Sequence, residues 1–145
     1  MKPVSFDSPS VTSYLAILQG VISRMGTNSA SCKTWCVTLV SAVIIIVADK
    51  GRPNYVWISA IPILLFGILD SYYLALERQF RSIYNDFIRK LHFESATVDD
   101  VFIIGPTSGI CATSLNILRA TLSISVWPFY ALFAVMLLIV RVWIL

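Results

Sequence analysis

Residues 54–91 read NYVWISAIPILLFGILDSYYLALERQFRSIYNDFIRKL. The stretch through Leu69 carries no charge, and with Asp70 and SYYLAL it reaches about 20 residues, the length a bilayer requires. Charges begin at Glu77, yet Tyr73, Leu76, Phe80, Ile83, Tyr84, Phe87, Ile88 and Leu91 keep a helical period straight through them. No proline or glycine follows Gly67 in this stretch. The expected element is therefore a span over 54–76 that leaves the lipid without stopping and continues as an amphipathic cytosolic helix over 77–93. Glu77–Arg81 and Asp86–Lys90 stand at i,i+4 on it, as ion pairs that support a helix.

Upstream, Thr34–Ala48 is free of charge and contains VTLVSAVIIIVA; with Asn28–Lys33 it makes a span over 29–49, Lys33 snorkelling to the headgroups. Before it, VTSYLAILQGVISRM places Val11, Tyr14, Leu15, Leu18, Val21, Ile22 and Met25 on one face, an amphipathic helix over 8–26. Downstream, 94–107 reads as a loop that includes the Gly105-Pro106 break. A cytosolic helix over 108–119, capped by Thr107 or Ser108, then runs into a third span over 120–144, TLSISVWPFYALFAVMLLIV and beyond, which Pro128 would kink. The fold class expected is all-α: an integral membrane bundle of three transmembrane helices, an N-terminal amphipathic helix and cytosolic helical extensions.

Composition agrees. The chain has 145 residues, 57% of them hydrophobic and 13% charged, against about a quarter charged in an average soluble domain. So much apolar surface is too much for one small soluble domain to hide. A nucleic-acid binder, a disordered tail and a disulfide scaffold are all disfavoured. The polar start MKPVSFDSPS has no apolar core of a cleavable signal, so insertion of the whole chain is expected. Lys2, Arg24, Lys33 and the five cations from Arg78 to Arg119 oppose only Lys50, Arg52 and Arg141. The positive-inside rule then puts the N-terminus in the cytoplasm and the DKGRPN turn and C-terminus outside.

Motifs of common enzymes are missing: there is no G-x-S-x-G, no P-loop and no H-E-x-x-H. No catalytic residue, cofactor or metal site is expected. Cys32 and Cys36 stand one turn apart, but His92 is the one histidine, and zinc wants four ligands. They and Cys111 read as packing cysteines in a reducing compartment. Among the acids only Asp70 lies within an otherwise apolar stretch. It reads either as an interfacial anchor or helix–helix hydrogen bond, or as a conduction or gating charge. Small residues recur every four positions as Thr34, Thr38 and Ala42 and as Gly67, Ser71 and Ala75, faces that let helices approach closely in lipid, within one chain or between copies. Thr34, Thr38, Ser41 and Asp70 are candidate pore-lining residues. Glu77, Arg78, Arg81, Arg89 and Lys90 are candidate contacts for a cytosolic partner.

GVISRMGTNSASCKTWCVTLVSA (20–42) and LDSYYLALERQFRSIYNDF (69–87), joined by a minimal external turn, resemble the SLATT-type bacterial membrane proteins and related small inner-membrane proteins associated with anti-phage systems. The resemblance lies in outline and local wording, and the third span departs from the two-span SLATT pattern. It implies an oligomeric effector of the bacterial inner membrane, triggered by a partner to perturb the bilayer. The alternative is a non-conducting anchor that recruits a cytosolic partner through its helical extensions. Transporter and enzyme classes rank lower, for want of repeated halves or gathered polar groups.

Overall fold

The computed structural model describes residues 8–51, 53–103 and 110–144. Among these the chain is helical, with no strand. Helix α1 spans Pro9–Lys50, 42 residues, and α2 spans Ala60–His92, 33 residues. They are followed by α3 (Ile110–Thr121), α4 (Trp127–Ile139) and a π-helical turn over Val140–Ile144. Helices α1 and α2 pack along one another as a hairpin, with α3 and α4 against α2.

The amphipathic segment and the first span form one helix. From Val11 to Ala48 the sequence holds only two glycines, Gly20 and Gly26, and no proline, and a glycine costs a helix about 1 kcal/mol, too little to end one this long. One buried stripe, Val11, Tyr14, Leu18, Ser29, Cys32, Cys36, Val40 and Val47, runs from end to end. The helix stops at Gly51, whose left-handed φ of 60° suits glycine and lets its N–H reach back to the Ala48 carbonyl. Pro53–Ser59 forms a 3₁₀ turn into α2, so the second helix starts regular α-geometry six residues later than 54.

At 1.5 Å per residue α1 is about 63 Å long and α2 about 50 Å, well beyond a hydrocarbon core of about 30 Å. Each has two kinds of surroundings. Near the turn, Cys36, Val40, Val47, Val56 and Ile63 pack with Leu137 and Val140. At the far end, Val11, Tyr14, Leu18, Phe87, Leu91 and Ala96 form a second apolar cluster. Between these clusters lies a buried polar layer: Ser29, Asp70 and Ser71.

The segments Pro9–Lys50 and Asn54–His92 are long and apolar enough to cross a membrane, and only 22% and 28% of their most apolar windows are buried. The core helix of a soluble protein would be mostly covered. Their outward residues include Ile45, Ile46, Ile61, Leu64, Leu65 and Ile68.

The third apolar segment differs from the continuous kinked helix expected over 108–144. Helix α3 ends at Thr121, Leu122–Val126 turn, and α4 starts afresh at Trp127. Pro128 is the cause: with no N–H and a ring that clashes one turn back, it fits the first turn of a helix rather than its middle. The turn is held by the Val126 and Trp127 N–H groups on the Ser123 carbonyl and by Arg78, which donates to Ser123 Oγ at 2.6 Å. The expected caps Thr107 and Ser108 and the Gly105-Pro106 break lie outside the described residues.

Candidate functional site

Asp70 is fully buried. In a hairpin that turns at Gly51, residues equally far from the turn face one another. Lys33 lies eighteen residues before Gly51 and Asp70 nineteen after it. Lys33 Nζ stands 2.6 Å from Asp70 Oδ2. Ser29, one turn before Lys33, donates its hydroxyl to Asp70 Oδ1 and accepts from Lys33 Nζ at 3.3 Å. The Tyr130 hydroxyl of α4 lies beside the same carboxylate and donates to the Phe66 carbonyl at 3.1 Å. Three helices thus meet on one carboxylate. An unpaired charge here would face a low-dielectric interior; a paired, hydrogen-bonded one is tolerated.

Tyr130 packs over Gly67, one turn before Ser71, where a Cβ would lie in ordinary contact with its ring at 3.6 Å. Ser71 Oγ donates to the Gly67 carbonyl at 2.7 Å, and Ala75 is buried. The small face of α2 is therefore packed within the chain. That of α1 is not: Thr34, Thr38, Ser41 and Ala42 are exposed on the side away from the buried stripe. Thr34 and Thr38 donate to the carbonyls of Ala30 and Thr34, which satisfies their hydroxyls without a partner helix. Within one chain, the candidate pore residues do not come together around Asp70.

Cys32 and Cys36 are buried free thiols on the stripe that faces α2; the side chain of Cys111 lies outside the described residues. Among the described residues no three His, Cys, Asp or Glu side chains gather as metal ligands.

The candidate docking residues are engaged inside the chain. Glu77 accepts from Arg81 at 2.5 Å, Arg78 holds Ser123, and Arg89 pairs with Asp86 at i,i+3. The expected Asp86–Lys90 pair does not form, because Lys90 reaches Asp100 at 2.5 Å instead. Asp100 closes a short 3₁₀ turn, Val98–Asp100, where its Oδ2 accepts from both the N–H and the hydroxyl of Thr97, each at 2.9 Å. The hydrogen bond from Lys90, then those from Thr97, hold the Asp100 carboxyl down to about 2. Nearby, Tyr14 donates to the Ile103 carbonyl at 2.8 Å and packs edge-on against Phe87 at 4.9 Å. Burial, then the Asp100 charge, push its hydroxyl up.

Ser29, Tyr130 and Asp100 escape a reading of composition and period. The hairpin arithmetic about Gly51 contained a signal for Lys33 with Asp70 and for Tyr14 with Phe87, which lie thirty-seven residues before it and thirty-six after. Comparison with protein-family models, curated proteins and solved structures finds no match.

Proposed function

We propose that this chain is a multi-pass membrane protein whose cytosolic helical end, engaged by a partner, controls what its spans do to the bilayer. The observation that carries this reading is the uninterrupted passage of α2 from an outward-facing apolar stretch, past the buried Asp70, into a packed cluster around Phe87. A helix without a hinge transmits displacement from one end to the other. The Lys33–Asp70 pair sits about 27 Å from Gly51 at about 1.5 Å per residue, near the cytosolic edge of a core of about 30 Å. There it holds α1 to α2 in the closed arrangement.

The segment from Trp127 to the π turn supplies a third crossing in this reading. The N-terminus and the Tyr14–Phe87 cluster are cytoplasmic, and the turn at Gly51 is external, following the cation bias. The exposed Thr34, Thr38 and Ala42 face is where copies of the chain pack in lipid. The perturbing state is an oligomer in which the pair has parted and Asp70 meets water. In the setting that the SLATT-type outline suggests, the partner is a cytosolic defence-system component that detects infection or makes a nucleotide signal, and the chain is its membrane effector.

Because Thr34, Thr38 and Ser41 point away from Asp70, a single chain offers no polar path, which favours the adaptor as second reading. Induced expression with a membrane-potential dye separates them. Loss of potential with the wild-type chain, altered by Lys33→Met, supports the effector. Unchanged potential in every variant, with the protein inserted, leaves the adaptor.

A further inference from the structure

At its cytosolic end the molecule has a cleft of about 600 Å³ between Tyr14 of α1, the last turns of α2 and the strap that follows α2. That volume lies in the range of small-molecule sites, which combine apolar walls with a few placed polar groups. Tyr14 and Phe87 form an aromatic wall, Phe93 stands at the rim 76% exposed, and Arg89 and Lys90 bring adjacent cations to the same opening.

The hydrogen-bond inventory is unbalanced. Asp100 accepts Lys90 on one oxygen and both Thr97 donors on the other. The Tyr14 hydroxyl proton goes to Ile103 and that of Ser95 to the Lys90 carbonyl. Lys90 carries three donors and Arg89 five, of which Asp100 and Asp86 each take one; Asp86 also lines the cleft and keeps its second oxygen, so about six donors remain against one half-filled carboxylate. Donors beside an aromatic wall, with the Asp100 carboxylate filled on both oxygens and Asp86 held on one by Arg89, suit an anion on a flat apolar body. The strap over the cleft is bent unusually. Glu94 and Phe102, one near each end, have positive φ of 52° and 67°, a conformation side chains other than glycine, asparagine and aspartate rarely adopt and which clusters at ligand clamps.

We infer that this cleft binds a small amphiphilic anion, an aromatic or short acyl body bearing a carboxylate or phosphate, through Lys90 and Arg89. The inference deepens the proposed role of the cytosolic end, and its test reads binding alone. A failure here leaves the membrane reading standing, and silent membrane recordings leave the binding intact.

The full chain, in nanodiscs of phosphatidylcholine, is titrated calorimetrically with 2-naphthoate, 2-naphthyl phosphate and the neutral 2-naphthamide, with empty discs as the blank. At least one anion binds about tenfold or more tighter than the amide, the effect of one charge-assisted hydrogen bond; which anion leads tells carboxylate from phosphate recognition. Arg89→Gln weakens the anion about tenfold and leaves the amide unchanged. Lys90→Gln, which keeps a donor for Asp100, likewise weakens the anion and leaves the amide unchanged, whereas a loosened fold would lose both ligands alike. Equal affinity for anion and amide, no binding of either anion, or indifference to both substitutions would overturn the site.

Discussion

Lys33 Nζ, only 23% of whose side chain is exposed, lies 2.6 Å from Oδ2 of the fully buried Asp70, linking α1 to α2 between two apolar clusters. Breaking such a pair from one side strands the other charge. Lys33→Met should therefore destabilise the hairpin by about 3–5 kcal/mol, whereas Lys33→Met with Asp70→Leu removes both charges and should recover most of it. Denaturant titration of helix content in one detergent measures the difference. A double variant as unstable as the single one would mean that the pair acts by shape and not by charge.

The α-helical period and charge-free gaps made most of the fold legible, because a helix facing apolar surroundings must repeat its apolar residues. They also singled out Asp70. They did not show what neutralises it. Lys33 read alone is a cation near a helix end, and becomes a partner only once the hairpin is folded about Gly51. Lys90 shows the opposite limit: the i,i+4 rule assigned it to Asp86, but Asp100 arrives on the returning strap with Thr97 donors that already fix its carboxylate. The helix break before Trp127 was legible in Pro128, had its preference for a first turn outweighed its capacity to kink. The outward turn of Thr34 and Thr38 follows from which face of α1 meets α2, a relation between helices that neither helix encodes by itself.

Asp100 makes the strap acid-sensitive. Its folded carboxyl is held at about 2, below the ordinary 3.8, chiefly by Lys90 and Thr97. A depressed pKa favours the folded arrangement when the carboxyl is ionised, so the contribution is complete above about pH 5 and disappears as pH falls from about 4 towards 2. Tyr14, which lies nearby, stays protonated there because its pKa is raised, while Asp86, Glu94 and Asp99 are the other acids close to the strap. Hydrogen exchange over Ser95–Ile103 should speed up, relative to α2, between about pH 5 and about pH 3. Asp100→Asn should exchange fast throughout and lose that pH dependence. Equal dependence in the variant would assign the effect to another group.

Gly67 tests the contact between α2 and α4. A methyl at Gly67 meets the Tyr130 ring at 3.6 Å, an ordinary contact. Gly67→Ala should be neutral or stabilising by up to about 1 kcal/mol, since alanine favours the helix. Gly67→Leu drives its branch into the ring and should cost about 1–3 kcal/mol, loosening the bond from Tyr130 to the Phe66 carbonyl. Thermal unfolding of the two variants in the same detergent should order them Ala, wild type, Leu, or with the first two level. A leucine variant as stable as wild type would show that α4 does not hold this position.

The orientation of the hairpin gives a prediction that needs no functional assay. Asp49 is exposed at the turn end of α1, and Ser82 is exposed on α2 beyond the polar layer. Buried Cys32 and Cys36 should react slowly with maleimides in the folded chain, so the wild type sets the background. With the cation-rich side cytoplasmic, Asp49→Cys should be labelled on intact cells by a membrane-impermeant maleimide, and Ser82→Cys only after permeabilisation. The reverse pattern would invert the topology. Equal labelling of both from outside would mean that α1 and α2 do not separate two compartments, and the apolar outer face of the hairpin would then have to be covered by protein rather than lipid.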